Sequence, residues 1–305
     1  MSIVMSLRDS YITLTQLSSA MAQFGVVALI LVPFTGVLVQ YRASCHPGTD
    51  DAPTFWGIAK RVYQKQGISG LSYGMAPTLL SVALVRLWPY RLPPKFYISP
   101  SPSTIGYSLI SALVGTLYYV FILVLVYRSI AATRKLDLFK PTESLHYLLS
   151  DHERKKPWAI YQIPGLLPAL VINVFINIKV IRPLHYLIFP VNHPEDISVT
   201  ETCLRLACIL LVTALGAAVL TPLEVITTRL ALQRNYGPRD VPLEEDTGGA
   251  KVSEPSTSDD IVIRLRDEDK PYPNLLDCAK TIVQEEGWRV LYRGWFITFL
   301  SVLYV

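Results

Sequence analysis

Few side chains in this sequence have the type and spacing to do chemistry, and those that do sit in or beside apolar stretches. Pro222-Leu-Glu224-Val-Ile-Thr-Thr-Arg229 sets an acid and a base at the end of one such stretch, and Glu286-Gly287-Trp-Arg-Val-Leu-Tyr292-Arg293-Gly294 brings a second acid and more bases. Asn173 and Asn177 lie four apart and so share one helix face. Polar groups inside a span usually face the bundle interior, where these two either line a cavity or bond across helices. Arg86 and Lys179 either reach that interior or snorkel to its edge. This is the chemistry of binding and gating. For bond-breaking chemistry the parts are missing: there is no GxSxG, HExxH or P-loop. His46, His146, His152, His185 and His193 show no ligand spacing, and Cys45, Cys203, Cys208 and Cys278 form no CxxC pair. The chain is therefore read as a non-enzyme with no metal and no cofactor. Its basic residues are spread among loops, which gives no nucleic-acid surface.

The elements that must hold these residues are apolar helices. Of 305 residues 51% are hydrophobic and 17% charged, where a soluble domain carries about 25% charged residues. Five stretches carry no Asp, Glu, Lys, Arg or His: 11–41, 67–85, 103–127, 157–178 and 206–223. A bilayer core of roughly 30 Å needs about 20 apolar residues in a helix, and in hydrocarbon the helix satisfies its own backbone. A sixth stretch, 294–305, has the same composition but reaches the end of the sequence. Helix 290–305 would span roughly 22 Å at 1.5 Å per residue, so the sixth helix is expected to be incomplete.

The sequence also repeats. Residues 52–82 align with 272–302 without a gap, pairing Pro53 with Pro273, Ala59-Lys60 with Ala279-Lys280, Gly67 with Gly287, Gly74 with Gly294 and Ser81 with Ser301. A fainter middle copy has Gly165-Leu-Leu-Pro168 at the spacing of Gly74-Met-Ala-Pro77, with Trp158 where the others have glycine. Each copy reads as an apolar helix, a polar loop with an amphipathic helix, a glycine turn and a second apolar helix. The expected spans are about 12–44 and 70–92, 103–134 and 159–186, and 200–234 and 290–305. The units are 1–101, 102–195 (degenerate) and 196–305. The first connecting helix, 54–66, sets Phe55, Ile58, Ala59, Val62 and Tyr63 on one face and is expected at the membrane surface. Residues 235–271, rich in Pro, Gly, Ser and acids, are expected to be a disordered insertion. The three long loops hold 21 of the 28 Lys and Arg, which places them on the inside by the positive-inside rule.

These motifs resemble the mitochondrial carrier family, whose signature is PX[DE]XX[KR]X[KR] followed by [DE]G, four residues, an aromatic, a base and Gly. The third copy matches closely. The first keeps Pro33, Gln66-Gly67 and Tyr73-Gly74; the second has Tyr127 at the proline position and Arg134 at the end. The resemblance implies an all-α membrane protein of six tilted transmembrane helices, in three tandem helix–loop-helix–helix repeats with pseudo-threefold symmetry. It implies kinks and a gate at Pro33, Pro222, Glu224 and Arg229, and turn glycines at Gly67, Gly74, Gly165, Gly287 and Gly294.

In the family, acids and bases of the signature pair as a ring. Here the acid positions are Thr35, Ser129 and Glu224 and the base positions Leu38, Ala132 and Thr227. One charge of six remains and nothing equivalent is expected to replace the rest. The fourth helix, at Leu184-His-Tyr-Leu-Ile, is equally bare of gate charges. The family's substrate positions fall on Ser81, Ile172 with Asn173, and Ser301, all neutral, which argues against a strongly anionic solute. The implied function is transport of a small solute by alternating access. The protein is expected as a lipid-embedded, multi-pass monomer of the mitochondrial inner membrane. The other reading is a carrier-like protein without transport, acting in mitochondrial membrane organisation, with the outer membrane as its alternative site.

Overall fold

The computed structural model describes residues 32–45, 54–71, 102–132, 141–188, 199–236, 265–266 and 270–303. Every regular element among them is helical. The first three helices are α1 (Val32–Ala43), α2 (Phe55–Leu71) and α3 (Pro102–Ala131). Two short helices follow, α4 (Pro141–Leu148) and α5 (Asp151–Lys155), then a 3₁₀ turn at Pro157–Gln162. Next come α6 (Leu166–Phe175), a π-helical stretch at Ile176–Ile181 and α7 (Arg182–Ile188). The last three helices are α8 (Val199–Leu232), α9 (Leu275–Glu286) and α10 (Trp295–Leu303), with a 3₁₀ turn at Trp288–Tyr292 between α9 and α10.

Among the described residues two helical stretches, Leu166–Ile188 and Thr200–Leu232, are long and apolar enough to cross a membrane, and their most apolar windows are only 24% and 22% buried. The core helix of a soluble protein would be mostly buried; here Leu204, Leu211, Leu215 and Val219 face outward from α8. An apolar band of that size belongs against lipid rather than water. The expected spans at 12–44 and 70–92 lie largely outside the described residues.

Local chemistry explains the joints. The expected middle connecting helix is broken in two, because Ser150 starts α5 with a capping box: its hydroxyl accepts from Glu153 N and the Glu153 side chain accepts from Ser150 N. The π-helical stretch precedes Pro183, which has no N–H and whose ring clashes with the carbonyl four residues back; widening the helix relieves both. This stretch interrupts the regular face expected to carry Asn173 and Asn177, which are both half-buried. Gly67 interrupts α2 with φ 66° and ψ −159°. On the expected face of α2, Ile58 and Val62 are buried, but Tyr63 is 56% exposed; it completes the face in register and lies at its solvent or lipid edge.

The apolar core is uneven. One cluster runs continuously through α3 (Val120, Val124), the Ile160 turn, α6 (Leu166, Leu170), α8 (Ile226, Leu230) and α9 (Cys278, Ile282). The α1–α2 pair packs separately, around Val37, Ala43, Ile58 and Val62, with Leu232 of α8 against it. Two glycines allow close approach. Gly165 has φ 83°, and a Cβ there would fall 2.4 Å from Leu275 N; Gly294 has φ 75°, and a Cβ would fall 2.4 Å from Leu38 Cδ1. An L side chain is strained at such φ.

The ends of the 235–271 insertion differ from the expectation of disorder. Asn235 N donates to Glu153 Oε1 at 2.9 Å, and Arg266 pairs with Glu285 at 2.7 Å while lying over the Tyr272 ring. These contacts tie both ends of the segment to the connecting helices; most of its middle lies outside the described residues.

Candidate functional site: ion pairs where three helices end

The charged residues gather where α1, α3 and α8 end. Arg42 Nη2 lies 2.6 Å from Glu224 Oε2. Thr298 of α10 sits between them, accepting from Arg42 Nη2 at 2.8 Å and donating to Glu224 Oε2 at 2.6 Å. Arg42 Nε donates to the Arg293 carbonyl at 3.3 Å. One latch therefore ties α1, α8 and α10. It corrects the expectation that nothing replaces the lost ring charges. The base position, Leu38, is buried, but Arg42 stands one helical turn beyond it on the same face and reaches the acid. The Glu224 side chain keeps 29% of its surface exposed against 5% for Arg42, so the latch is open to one side.

Two deeper pairs flank it. Arg229 forms a bidentate pair with Glu286, both side chains 3% exposed. Its other hydrogen bonds go to carbonyls at the end of α1: Nε to Arg42 O at 3.2 Å and Nη2 to Ser44 O at 3.1 Å. Arg293 joins them, with Nη1 on the Ser44 carbonyl and Nη2 3.7 Å from Glu286.

Arg128 repeats the pattern. It holds Glu153 at 2.6 and 2.9 Å, and donates to Ala231 O from Nε at 3.1 Å and to Gln233 O from Nη2 at 2.7 Å, at the end of α8. Each arginine thus closes its own connecting helix and caps the orphan carbonyls of another helix's C-terminus. Burial alone would push the Glu153 carboxyl up; Arg128 and the backbone N–H groups of Asn235 and Ser150 outweigh it and hold the group below its ordinary value.

Neither Arg128 nor Glu153 stands in the signature register, so the motif spacing does not point to them. Two signals were there. Arg128 is the base in the last turn of an apolar helix, and Ser150-Asp-His-Glu153 is a legible capping box.

The other expected positions are dispersed. Ser81 and Gly74 lie outside the described residues. Ile172 and Ser301 are exposed and Asn173 is half-buried, and no hydrogen bond joins them among the described residues. In α10 the buried neighbour of Ser301 is Val302, packed on Ile181 and Leu220. Pro33 lies at the second residue of α1, and α8 runs unbroken through Pro222. Gly67, Gly165, Gly287 and Gly294 all have positive φ. Ser129 bonds within its own helix, to Val126 O.

Residues 259–304, which hold Glu286, Arg293 and Thr298, match the family model of mitochondrial carrier proteins. Over these residues the chain is similar to mitochondrial carrier proteins. No curated protein matches it. The match covers α9, the 3₁₀ turn and α10, the elements that hold the acid of the Arg229 clamp and the threonine of the latch.

Proposed function

We propose that this carrier moves a small, not strongly anionic solute by alternating access, as six helices in three units: 1–101, 102–195 and 196–305. The observation that carries the reading is the Arg42–Glu224–Thr298 latch. It joins three helices at one end of the bundle, and its half-open acid marks it as a contact that forms and breaks. The neutral positions Ser81, Ile172, Asn173 and Ser301 are the proposed solute contacts, with Pro33 and Pro222 as the bends that bring the helix ends together. The lysine- and arginine-rich loops support a reading with the latch on the matrix side of the mitochondrial inner membrane.

The test is reconstitution into liposomes, with uptake and exchange of amino acids, nucleotides and carboxylates measured beside Arg42→Gln. A flux above empty vesicles, altered in the variant, is expected. No flux from protein shown to be folded would sink the reading. One fact favours a second reading in that event: among the described residues a single charged latch stands where the family has three pairs. That reading is a carrier-like protein of mitochondrial membrane organisation in the outer membrane, tested by mitochondrial morphology in deletion cells.

A further inference from the structure

The two arginine clamps make a chain of attachments with one link missing. Arg128, at the end of α3, is fixed to Glu153 and caps α8 at Ala231 and Gln233. Arg229, at the end of α8, is fixed to Glu286 and caps α1 at Arg42 and Ser44. Closing the circle would need a cation at the end of α1 that is fixed to α2 and caps α3.

The register supplies the positions. Gln40 stands seven residues after Pro33, as Arg229 does after Pro222, and Gln66 precedes Gly67 as Glu286 precedes Gly287. Both are neutral amides, so no ion pair can form between them. Gln40 is 4% exposed and, among the described residues, donates a single hydrogen bond, Nε2 to Ile130 O of α3 at 3.2 Å, while its buried Oε1 meets no partner there. The direction is the one the pattern requires, from α1 to α3, but one neutral bond stands where Arg128 and Arg229 each make a bidentate ion pair and two bonds to the carbonyls they cap. The core agrees. Buried apolar residues run continuously from α3 to α8, and Leu232 of α8 packs on the α1–α2 cluster, whereas among the described residues no buried cluster spans α1 and α3.

We propose that the α1–α3 seam is the one along which the latch end opens: as the latch lets go, α1 and α2 swing away from α3, pivoting on the Arg229 clamp, while the Arg128–Glu153 and Arg229–Glu286 pairs stay made. A neutral hydrogen bond is worth about half a charge-assisted one, and a buried acceptor left unpaired weakens the closed state further. This rests on the alternating-access reading above, but its test does not depend on finding a solute.

Spin labels at the exposed connecting-helix positions Lys60, Thr142 and Gln284, placed two at a time with Cys203 and Cys208 replaced by serine, report the three junctions in liposomes. The 60–142 distance distribution is expected to be broad or two-peaked, and those for 142–284 and 284–60 single and narrow. A 60–142 distribution as narrow as the others, or breadth at a clamped junction, overturns the proposal. A rebuilt clamp gives the second reading. Gln40→Arg with Gln66→Glu is expected to melt above both single variants, since Gln40→Arg alone buries a charge and Gln66→Glu alone supplies an acid with no base to meet it, and to narrow the 60–142 distribution to the width of the others. If the double variant melts no higher than the singles, the missing link is not at these residues. A narrow seam in a protein that transports solute rejects this inference alone, and an absent flux with an opening seam rejects only the transport reading.

Discussion

The Arg229–Glu286 clamp and the Arg42–Glu224 latch lie at the same end of the molecule, and Arg229 even bonds to the Arg42 carbonyl, yet the two pairs are built for opposite purposes. In the clamp both side chains are 3% exposed, the contact is bidentate, and the remaining donors of the arginine are used on backbone carbonyls. In the latch one oxygen of a 29%-exposed acid takes both bonds, one from Arg42 and one from Thr298. Water can compete for the second pair and not for the first. Burial therefore sorts the charges into those that hold the helix ends in place and one that can let go.

The sharpest way to break this contrast is to remove one partner of a clamp. Glu286→Gln or Glu153→Gln leaves a buried guanidinium uncompensated and is expected to cost about 3–5 kcal/mol, read as a large fall in melting temperature in detergent. A loss no greater than that of a latch variant would erase the distinction. Glu153 adds a pH signature. Its folded-state pKa is depressed, so its contribution is complete above the ordinary glutamate value and is lost as pH falls through that value towards the depressed one. Wild-type melting temperature should drop in that acid window, and the drop should shrink in Glu153→Gln.

Next in size is a change that moves the clamps' scaffold without touching a charge. Gly165→Ala sets a methyl 2.4 Å from the backbone nitrogen of Leu275 at a φ of 83°. Left-handed strain and overpacking together are expected to cost about 2–4 kcal/mol, measured in the same melting assay. Gly115→Ala is the control, since a Cβ there meets nothing within 4 Å.

The contrast also explains what the residue order could and could not reveal. Apolar runs, a proline followed by Glu224 and Arg229, and glycine turns are local features, and the third copy carried them all in register. Arg42 and Arg128 do the same work out of register. Arg42 is one turn past Leu38, and Arg128 directly follows Tyr127, so a pattern read by position passed over both. What places them is the length and reach of arginine and the demand of buried helix C-termini for donors, and these appear only when the helices are packed. The π-helical stretch before Pro183 shows the same limit: the proline was legible, but the backbone's way of accommodating it was not.

The smallest expected effect on stability belongs to the latch, and its size is what makes it informative. Arg42→Gln removes an ion pair whose acid is part-exposed and leaves Glu224 with the Thr298 hydroxyl, so about 1–2 kcal/mol is expected. The consequence should appear instead in the resting shape and in flux. With the latch gone, the end that α1, α8 and α10 hold shut has a lower barrier to opening, and reconstituted vesicles should show altered exchange at nearly unchanged melting temperature. High salt should act in the same direction as the variant in wild type, though more weakly, because the part-exposed acid of the latch is screened more than the fully buried clamp. Salt that weakens the Arg229 clamp as much as the latch would mean that burial does not divide these two pairs into fixed and releasable.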